Sequence, residues 1–254
     1  MSRISTVFLA TALALAAAPL AAQTAPPVAG RPALRTEHLA DREDTLLILV
    51  DRAQAIPVGT RVLRTALAVD GGQETLVRVE TVRDTAGKDI RTDSVVVVRA
   101  SLAPLAQAVR DARGTRSVRF EGGRARGESV ARGVRSVVDA AVPADAFPGA
   151  LLDLVLGGLP LREGFTARIA VFDAARASVT ASTVQVMEYE TVRSGDGSAC
   201  RAWRVLVSGG ADAGSYWIED RSRVLVRFEG TGSPLRMVRR AGCAPAPRPV
   251  SADR

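Results

Sequence analysis

Few side chains in this sequence are of a type and spacing that could do chemistry. His38 is the only histidine, so a Ser–His or Cys–His catalytic pair would have to use it. It falls within residues 23–40, where Pro26, Pro27, Gly30 and Pro32 mark a flexible lead-in, and catalysis demands a fixed geometry that such a segment does not supply. One histidine and two distant cysteines do not form a zinc set. No GxSxG elbow, GxGxxG fingerprint, phosphate-binding loop or EF-hand loop is present, and Gly195-Asp196-Gly197-Ser198 reads as a hairpin turn. Glu188 and Glu190 share one face of an extended segment, about 7 Å apart by strand rise, a spacing of interest for glycoside hydrolysis. Paired acids on a strand are more often a solvated face meeting arginines across the sheet, and that is the reading adopted. No catalytic residue, metal or cofactor is expected, and the chain is not read as an enzyme.

Cys200 and Cys243 are the only cysteines. An even count in an oxidising compartment favours a disulfide. Strand spacing argues the other way. In a simple four-strand meander the two would lie three strands apart, about 14 Å, against a Cα limit near 7 Å. The bond requires that the sheet curl tightly or that the chain after Arg240 fold across it.

That compartment is inferred from the N-terminus. Arg3 precedes an uncharged run from Val7 to Ala18, Pro19 breaks it, and Leu20-Ala21-Ala22 offers small residues for cleavage. A positive start, a short apolar stretch and a small-residue exit are the parts of a signal peptide, here residues 1–22. The run is short for a bilayer span of about 20 residues. No cysteine lies near the junction for lipid attachment, and no later stretch is apolar enough to span a membrane. A free periplasmic or secreted protein without stable membrane insertion is expected. The net charge of +7 is carried almost wholly by arginine, Lys88 being the one lysine. Basic charge often marks nucleic-acid partners, but an exported protein rarely meets them. Arg61, Arg64, Arg78, Arg116, Arg119, Arg223, Arg227, Arg236 and Arg239 fall at alternating strand positions rather than in a block, so most are read as a solvated sheet face. No nucleic-acid partner is expected.

The positioning elements are strands. Leu46 to Val50 is a short apolar run suited to burial on both faces. Beyond it, alternation of period two is punctuated by turn residues at Asp70-Gly71-Gly72, Ala86-Gly87-Lys88, Glu121-Gly122-Gly123, Gly209-Gly210 and Thr231-Gly232-Ser233, the signature of antiparallel hairpins. Ala167, Ile169 and Val171 share a face, as do Trp203, Val205 and Val207. A dozen or so short strands predict one strongly curved antiparallel sheet, a half-barrel over residues 41–243, because a flat sheet that wide would leave long edges. Residues 244–254, with Pro245, Pro247 and Pro249, read as a disordered tail.

One segment breaks the rhythm. Asp145 to Gly158 reads as a single short helix with Asp145 as cap, Pro148 in the first turn and Gly157-Gly158 as the stop. Leu151, Leu152, Leu154, Val155 and Leu156 surround it with apolar groups, and Asp153 is the lone charge. A helix without a polar face must be covered on several sides, which places it on the concave face of the sheet.

Phe147 to Arg239 carries a resemblance. The short apolar helix leads into Leu159-Pro160-Leu161-Arg162-Glu163-Gly164-Phe165. A long strand then ends Glu188-Tyr189-Glu190-Thr191-Val192, and Trp203-Arg204-Val205 and Tyr216-Trp217-Ile218-Glu219-Asp220 follow. This resembles uncharacterised exported bacterial proteins, grouped as domains of unknown function, whose expected fold is a curved half-barrel similar to the periplasmic lipoprotein carriers. No functional residue of those carriers maps onto this chain.

Two functions compete. A binding or carrier protein would hold a hydrophobic, lipid-like ligand between the sheet and the helix, with Phe147, Leu151, Leu154, Val155, Trp203 and Phe228 as its contacts. A structural or interaction module would use the same helix to fill its core and meet an envelope partner through strand edges or the arginine face. A filled interior favours the second, and a hollow of several hundred Å3 lined by those side chains favours the first.

Overall fold

A computed structural model describes residues 32–50 and 55–243. The expected signal peptide and the Pro-rich tail lie outside them. Among the described residues, fifteen strands form one sheet that does not close, with one short helix. β1 (Arg42–Val50), β2 (Ile56–Asp70), β3 (Gln73–Asp84), β4 (Asp89–Val98), β5 (Pro104–Asp111), β6 (Gly114–Glu121), β7 (Arg124–Ala131) and β8 (Val134–Ala141) run as an antiparallel meander. The chain then crosses to the far edge. β9 (Ala146–Pro148) leads into α1 (Leu152–Gly158), and β10 (Thr166–Asp173) pairs with β9 in parallel. The return meander is β11 (Ser178–Arg193), β12 (Ala199–Ser208), β13 (Gly214–Glu219), β14 (Leu225–Gly230) and β15 (Leu235–Arg239). β15 docks beside β1, so the first and last strands are neighbours in the middle of the sheet.

The sheet curls until its two wings touch through side chains. Val109, Val118, Ala125 and Val138 from one wing pack with Ala146, Phe172 and Ala174 from the other, and Phe120 meets Phe172 edge to face at 5.2 Å. Arg116 Nη1 also donates to the Ala174 carbonyl across the seam. Curvature thus buries apolar faces that a flat sheet of this width would leave wet.

Inside the curve sits α1, every residue of which is buried. Its leucines join Leu46, Leu63, Leu76, Val95 and Val97 from one half of the sheet, and Ile169, Val184, Val205, Val207 and Ile218 from the other, in one core. The helix is shorter than the sequence suggested. Ala146–Pro148 is strand, Gly149–Leu151 is a 3-10 turn, and no side chain caps it, so Asp145 is not the cap. The reason lies in Pro148, which disfavours helical backbone at Phe147 and is itself extended, with ψ 134°. Gly157 and Gly158 belong to the helix rather than ending it. A Cβ on Gly157 would lie 2.3 Å from the Arg223 carbonyl oxygen, and one on Gly158 would lie 3.0 Å from that of Arg35. They are glycines because backbone passes there.

Residues 32–40, read as part of a flexible lead-in, are packed. The Arg35 amide donates to the Gly158 carbonyl at 2.8 Å, and Leu39 is buried in the core. Leu34 and Leu39 supply apolar area that composition dominated by proline and glycine concealed.

The arginine face also needs correction. Arg78 is 1% exposed and Arg239 8%, because each meets a buried carboxylate. Arg78 donates to Asp153 Oδ2 and to Thr65 Oγ1, both at 2.6 Å, and Arg239 donates to Asp44 Oδ1 at 2.5 Å. On β3 the faces are therefore reversed from the hydrophobic alternation: Leu76, Arg78 and Glu80 point inward, and Val77 and Val79 are the half-buried outer set.

Candidate functional site

Of the six expected ligand contacts, four are consumed by the core. Phe147, Leu151 and Val155 are fully buried, Leu154 is nearly so, and all four lie in the cluster around α1. Trp203 is half-buried against that cluster; its Nε1 donates to Asp220 Oδ1 at 3.0 Å and its ring meets Tyr189 at 4.9 Å. Phe228 lines a cavity.

That cavity, of about 610 Å3, opens at one end of the curve. Its apolar side comprises Ile48, Val82, Ala150, Phe172, Phe228 and Met237. Its polar side is built by alternate inward positions on β2 to β5: Arg61, Glu80, Arg91, Asp93 and Gln107. The rim is formed by Asp173 at the end of β10, Arg176 from the β10–β11 connection, Asp212 from β12–β13, and Thr231 and Ser233 from β14–β15. Volume and mixed lining fall within the range of small-molecule pockets, roughly 300–1,000 Å3.

The polar side is partly matched within itself. Arg61 Nη2 donates to Glu80 Oε2 at 2.5 Å and Arg91 Nη2 to Asp93 Oδ2 at 3.3 Å. Gln107 Nε2 donates to both oxygens of Asp93, at 3.0 and 3.3 Å, while Gln107 Oε1, on a residue only 3% exposed, has no donor. Burial pushes the Asp93 carboxyl up to about 6 against the bonds from Gln107 and Arg91, with Glu80 adding repulsion. Burial likewise raises Asp212, opposed by Arg61. Desolvation disfavours the charged form of each acid, so these carboxylates are under-compensated.

At the opposite, helix-filled end the charges meet partners. Arg78 reaches Asp153, the lone charge of α1, and Arg239 and Arg42 flank Asp44 at 2.5 and 3.3 Å. His38, expected in a flexible segment, is instead buried beside Arg42 and Arg223; burial first and those cations second hold its imidazole down at about 4. It stays neutral at physiological pH.

Glu188 and Glu190 lie on the outer face. Glu188 Oε1 accepts from Arg204 Nη1 at 2.8 Å and Glu190 Oε1 from Trp217 Nε1 at 2.6 Å. Cys200 and Cys243 form a disulfide with Cα atoms 5.5 Å apart. The tip of the long β11–β12 hairpin folds towards the end of β15, where the Gly195 amide donates to the Arg239 carbonyl at 2.6 Å, and residues after Arg240 cross to Cys200. Among the described residues no group of three or more His, Cys, Asp or Glu could hold a metal, and no helix is long and apolar enough to cross a membrane.

Residues 50–237 match the family model described as a protein of unknown function, DUF3108. The chain belongs to the DUF3108 family. Among solved structures, the DUF3108 chain is similar to a β-barrel-like protein of domain DUF1849 from Brucella abortus, at 16% identity and TM-score 0.42, covering 82% of this chain and 96% of that one. It is also similar to a candidate exported protein with a YmcC-like fold from Bacteroides fragilis, at 12% identity and TM-score 0.37, covering 80% and 96%. No curated protein matches it.

The polar wall is not foreseen in the sequence because its Arg61, like Arg78 beside α1, reads there as part of a solvated sheet face. One signal was present. Asp153 stands alone on an otherwise apolar helix, and a buried carboxylate calls for a buried cation, so at least one strand arginine had to face inward.

Proposed function

We propose that this protein is a non-catalytic binding or carrier protein of the cell envelope, periplasmic or secreted, whose ligand is a small amphiphile held in the mouth of the half-barrel. The single observation that supports this reading is the two-sided cavity of about 610 Å3, with Phe172, Phe228 and Met237 on one side and Asp93 and Gln107 on the other. The site moves from the helix to the mouth. The side chains of α1 complete the core, so a long acyl chain threaded along the helix is replaced by a shorter apolar body with a polar end. Export rests on residues 1–22 reading as a signal peptide.

The test is native mass spectrometry and solvent extraction of the protein purified from its own host. An amphiphile that co-purifies with wild type and is lost from Ala211→Trp, a change at the exposed rim of the cavity, is the expected result. Protein recovered without any bound small molecule would end the carrier reading.

The rival, an interaction module with a filled core, draws support from a different place. β8 is an edge strand exposing Val134 at 69% and Val137 at 84%, and open edges with apolar side chains invite pairing with another chain. Arg135 and Glu128, paired on the same wing at 2.7 Å, add the charge that discourages unselective pairing. A partner captured from envelope extract by wild type and lost from Val137→Lys would favour this reading.

A further inference from the structure

Among the described residues the sheet has two edges, and they are unlike. β9 is three residues long, all buried, and ends in Pro148. β8 is eight residues long and runs in unbroken register with β7. It has no proline, lysine or bulge, the usual protections of an open edge. The type I′ turn at Arg132-Gly133, with φ 52° and 79°, closes the β7–β8 hairpin at Ala131 and Val134. Such a closing pair exchanges both backbone bonds, and bonded pairs recur at every second residue. Val134, Ser136, Val138 and Ala140 therefore turn their amides and carbonyls to β7, and the Val142 amide continues the series to the Gly123 carbonyl at 2.8 Å. Those of Arg135, Val137, Asp139 and Ala141 point out of the sheet edge. All four residues are exposed, Val137 at 84%. Val138 and Ala140 meanwhile pack on the other wing and hold the strand in place.

Arg135, Val137 and Asp139 also share the outer face, and their order is complementary to its own reverse. Laid antiparallel on a second β8 with Val137 opposite Val137, Arg135 faces Asp139 on both sides of the centre. The outward backbone groups of these residues then form about six bonds between the chains. A slip of two residues sets Val137 against a charge. A slip of four sets Arg135 on Arg135 or Asp139 on Asp139, and like charges directly opposite are destabilising. We infer that the open edge takes a second copy of this chain, β8 against β8 about a two-fold axis through Val137. Glu128, 2.7 Å from Arg135, and Arg124 and Arg126, 2.6 and 3.5 Å from Asp139, carry the alternation of charge on into β7. Exposed pairs of this kind contribute little to affinity; they set the register, and the backbone bonds and valines hold the chains together. The contact is isologous and uses up the edge, so it stops at two chains instead of growing into a fibre. One strand pair falls at the small end of interfaces, below roughly 1,200 Å2, so the dimer is weak and reversible. No residue of β8 lines the cleft, so this inference goes beyond the carrier reading and does not depend on it.

The experiment is sedimentation velocity of the full-length exported protein over a series from low to high micromolar concentration. A reversible monomer–dimer equilibrium is expected. Val137→Lys, which sets two ammonium groups face to face, should raise the dissociation constant at least tenfold. Arg135→Asp alone and Asp139→Arg alone should each be monomeric, because each opposes like charges. An equimolar mixture of the two should dimerise, since opposite charges then meet at both pairs. These side chains are all exposed, so the variants fold. Val137→Cys should give a disulfide-linked dimer in air far faster than Arg135→Cys, whose two copies lie about 13 Å apart along the strands, beyond disulfide reach. Wild type that stays monomeric throughout the series overturns the inference. If that monomer still captures an envelope protein through Val137, the edge belongs to a different partner and the interaction reading stands. A dimer indifferent to Val137→Lys, single-charge variants that fail to complement each other, or assemblies larger than two equally overturn it. Carriage in the cleft is decided separately, by what co-purifies with the protein.

Discussion

The two ends of the interior bury charge in opposite ways. At the helix end, Arg78 meets Asp153 and Thr65, Arg239 and Arg42 meet Asp44, and the space between strands is filled by leucines of α1. At the mouth, Arg61 meets Glu80 and Arg91 meets Asp93, beside a cavity that no side chain fills. Both regions use the same device, inward polar residues on β2 to β5, and differ in what occupies the space beside them. Where leucines of α1 fill it, the buried pair between Arg78 and Asp153 ties helix to sheet. Where nothing fills it, the polar residues line a cleft. Ion pairs alone therefore do not mark the candidate site; the unfilled space beside them does.

Breaking the matched end should have the largest effect. Arg78→Ala leaves Asp153 buried without a cation and is expected to cost about 3–5 kcal/mol in urea denaturation. The double change Arg78→Met with Asp153→Leu should recover most of that loss, since an apolar replacement of a buried pair is often neutral or better. A double variant as unstable as Arg78→Ala would show that the pair does more than neutralise itself. Next in size, Cys200→Ala with Cys243→Ala should cost about 2–4 kcal/mol, given the 43-residue separation of the bridged positions. The unreduced wild type should then denature at clearly higher urea than the same protein under dithiothreitol.

A pH titration of stability contrasts the two ends directly. His38 has a folded pKa of about 4, below its ordinary 6.5, so the unfolded chain binds more protons between those values and this term makes stability rise with pH. Asp93 has a folded pKa of about 6, above its ordinary 3.8, so the folded chain binds more protons and this term makes stability fall as pH rises from about 4 to 6. Each amounts to something on the order of 2 kcal/mol over the window, and between pH 4 and 6 they largely cancel. Asp93→Asn should expose the rising slope and His38→Gln the falling one, in urea midpoints measured from pH 4 to 6.5. Parallel curves for both variants would refute the contrast. Smallest of all, Glu188→Gln on the outer face should change stability by less than about 0.5 kcal/mol, because its partner Arg204 is a surface arginine. A loss above 1 kcal/mol would mean that the outer face carries more structure than solvent-exposed pairs do.

Much of the fold was legible in the residues, for identifiable reasons. Hairpin turns at Asp70-Gly71-Gly72 and Glu121-Gly122-Gly123 appear where glycine takes positive φ: 55° and 81° in the first, 56° and 73° in the second. The apolar run of α1 required enclosure, and the core closes round it. The candidate site was far less legible. Phe147, Leu151, Leu154 and Val155, expected as ligand contacts, are packed in the core around α1, and apolar character alone does not distinguish a core from a pocket wall. Arg61 and Arg78 looked solvated because period-two patterning assigns faces by polarity, and here several inward positions are polar.

Taken alone, the chain's residues determined strands, turns, one greasy helix and two cysteines, since each depends on local geometry and short-range periodicity. Tertiary structure decided which face of β3 turns inward, that residues 32–40 pack under the helix, that Cys243 reaches Cys200, and that an unfilled space remains beside Asp93 and Gln107. Those outcomes depend on how far the sheet curls and on which distant side chains supply a partner for each buried charge, and both are set by contacts across the whole chain.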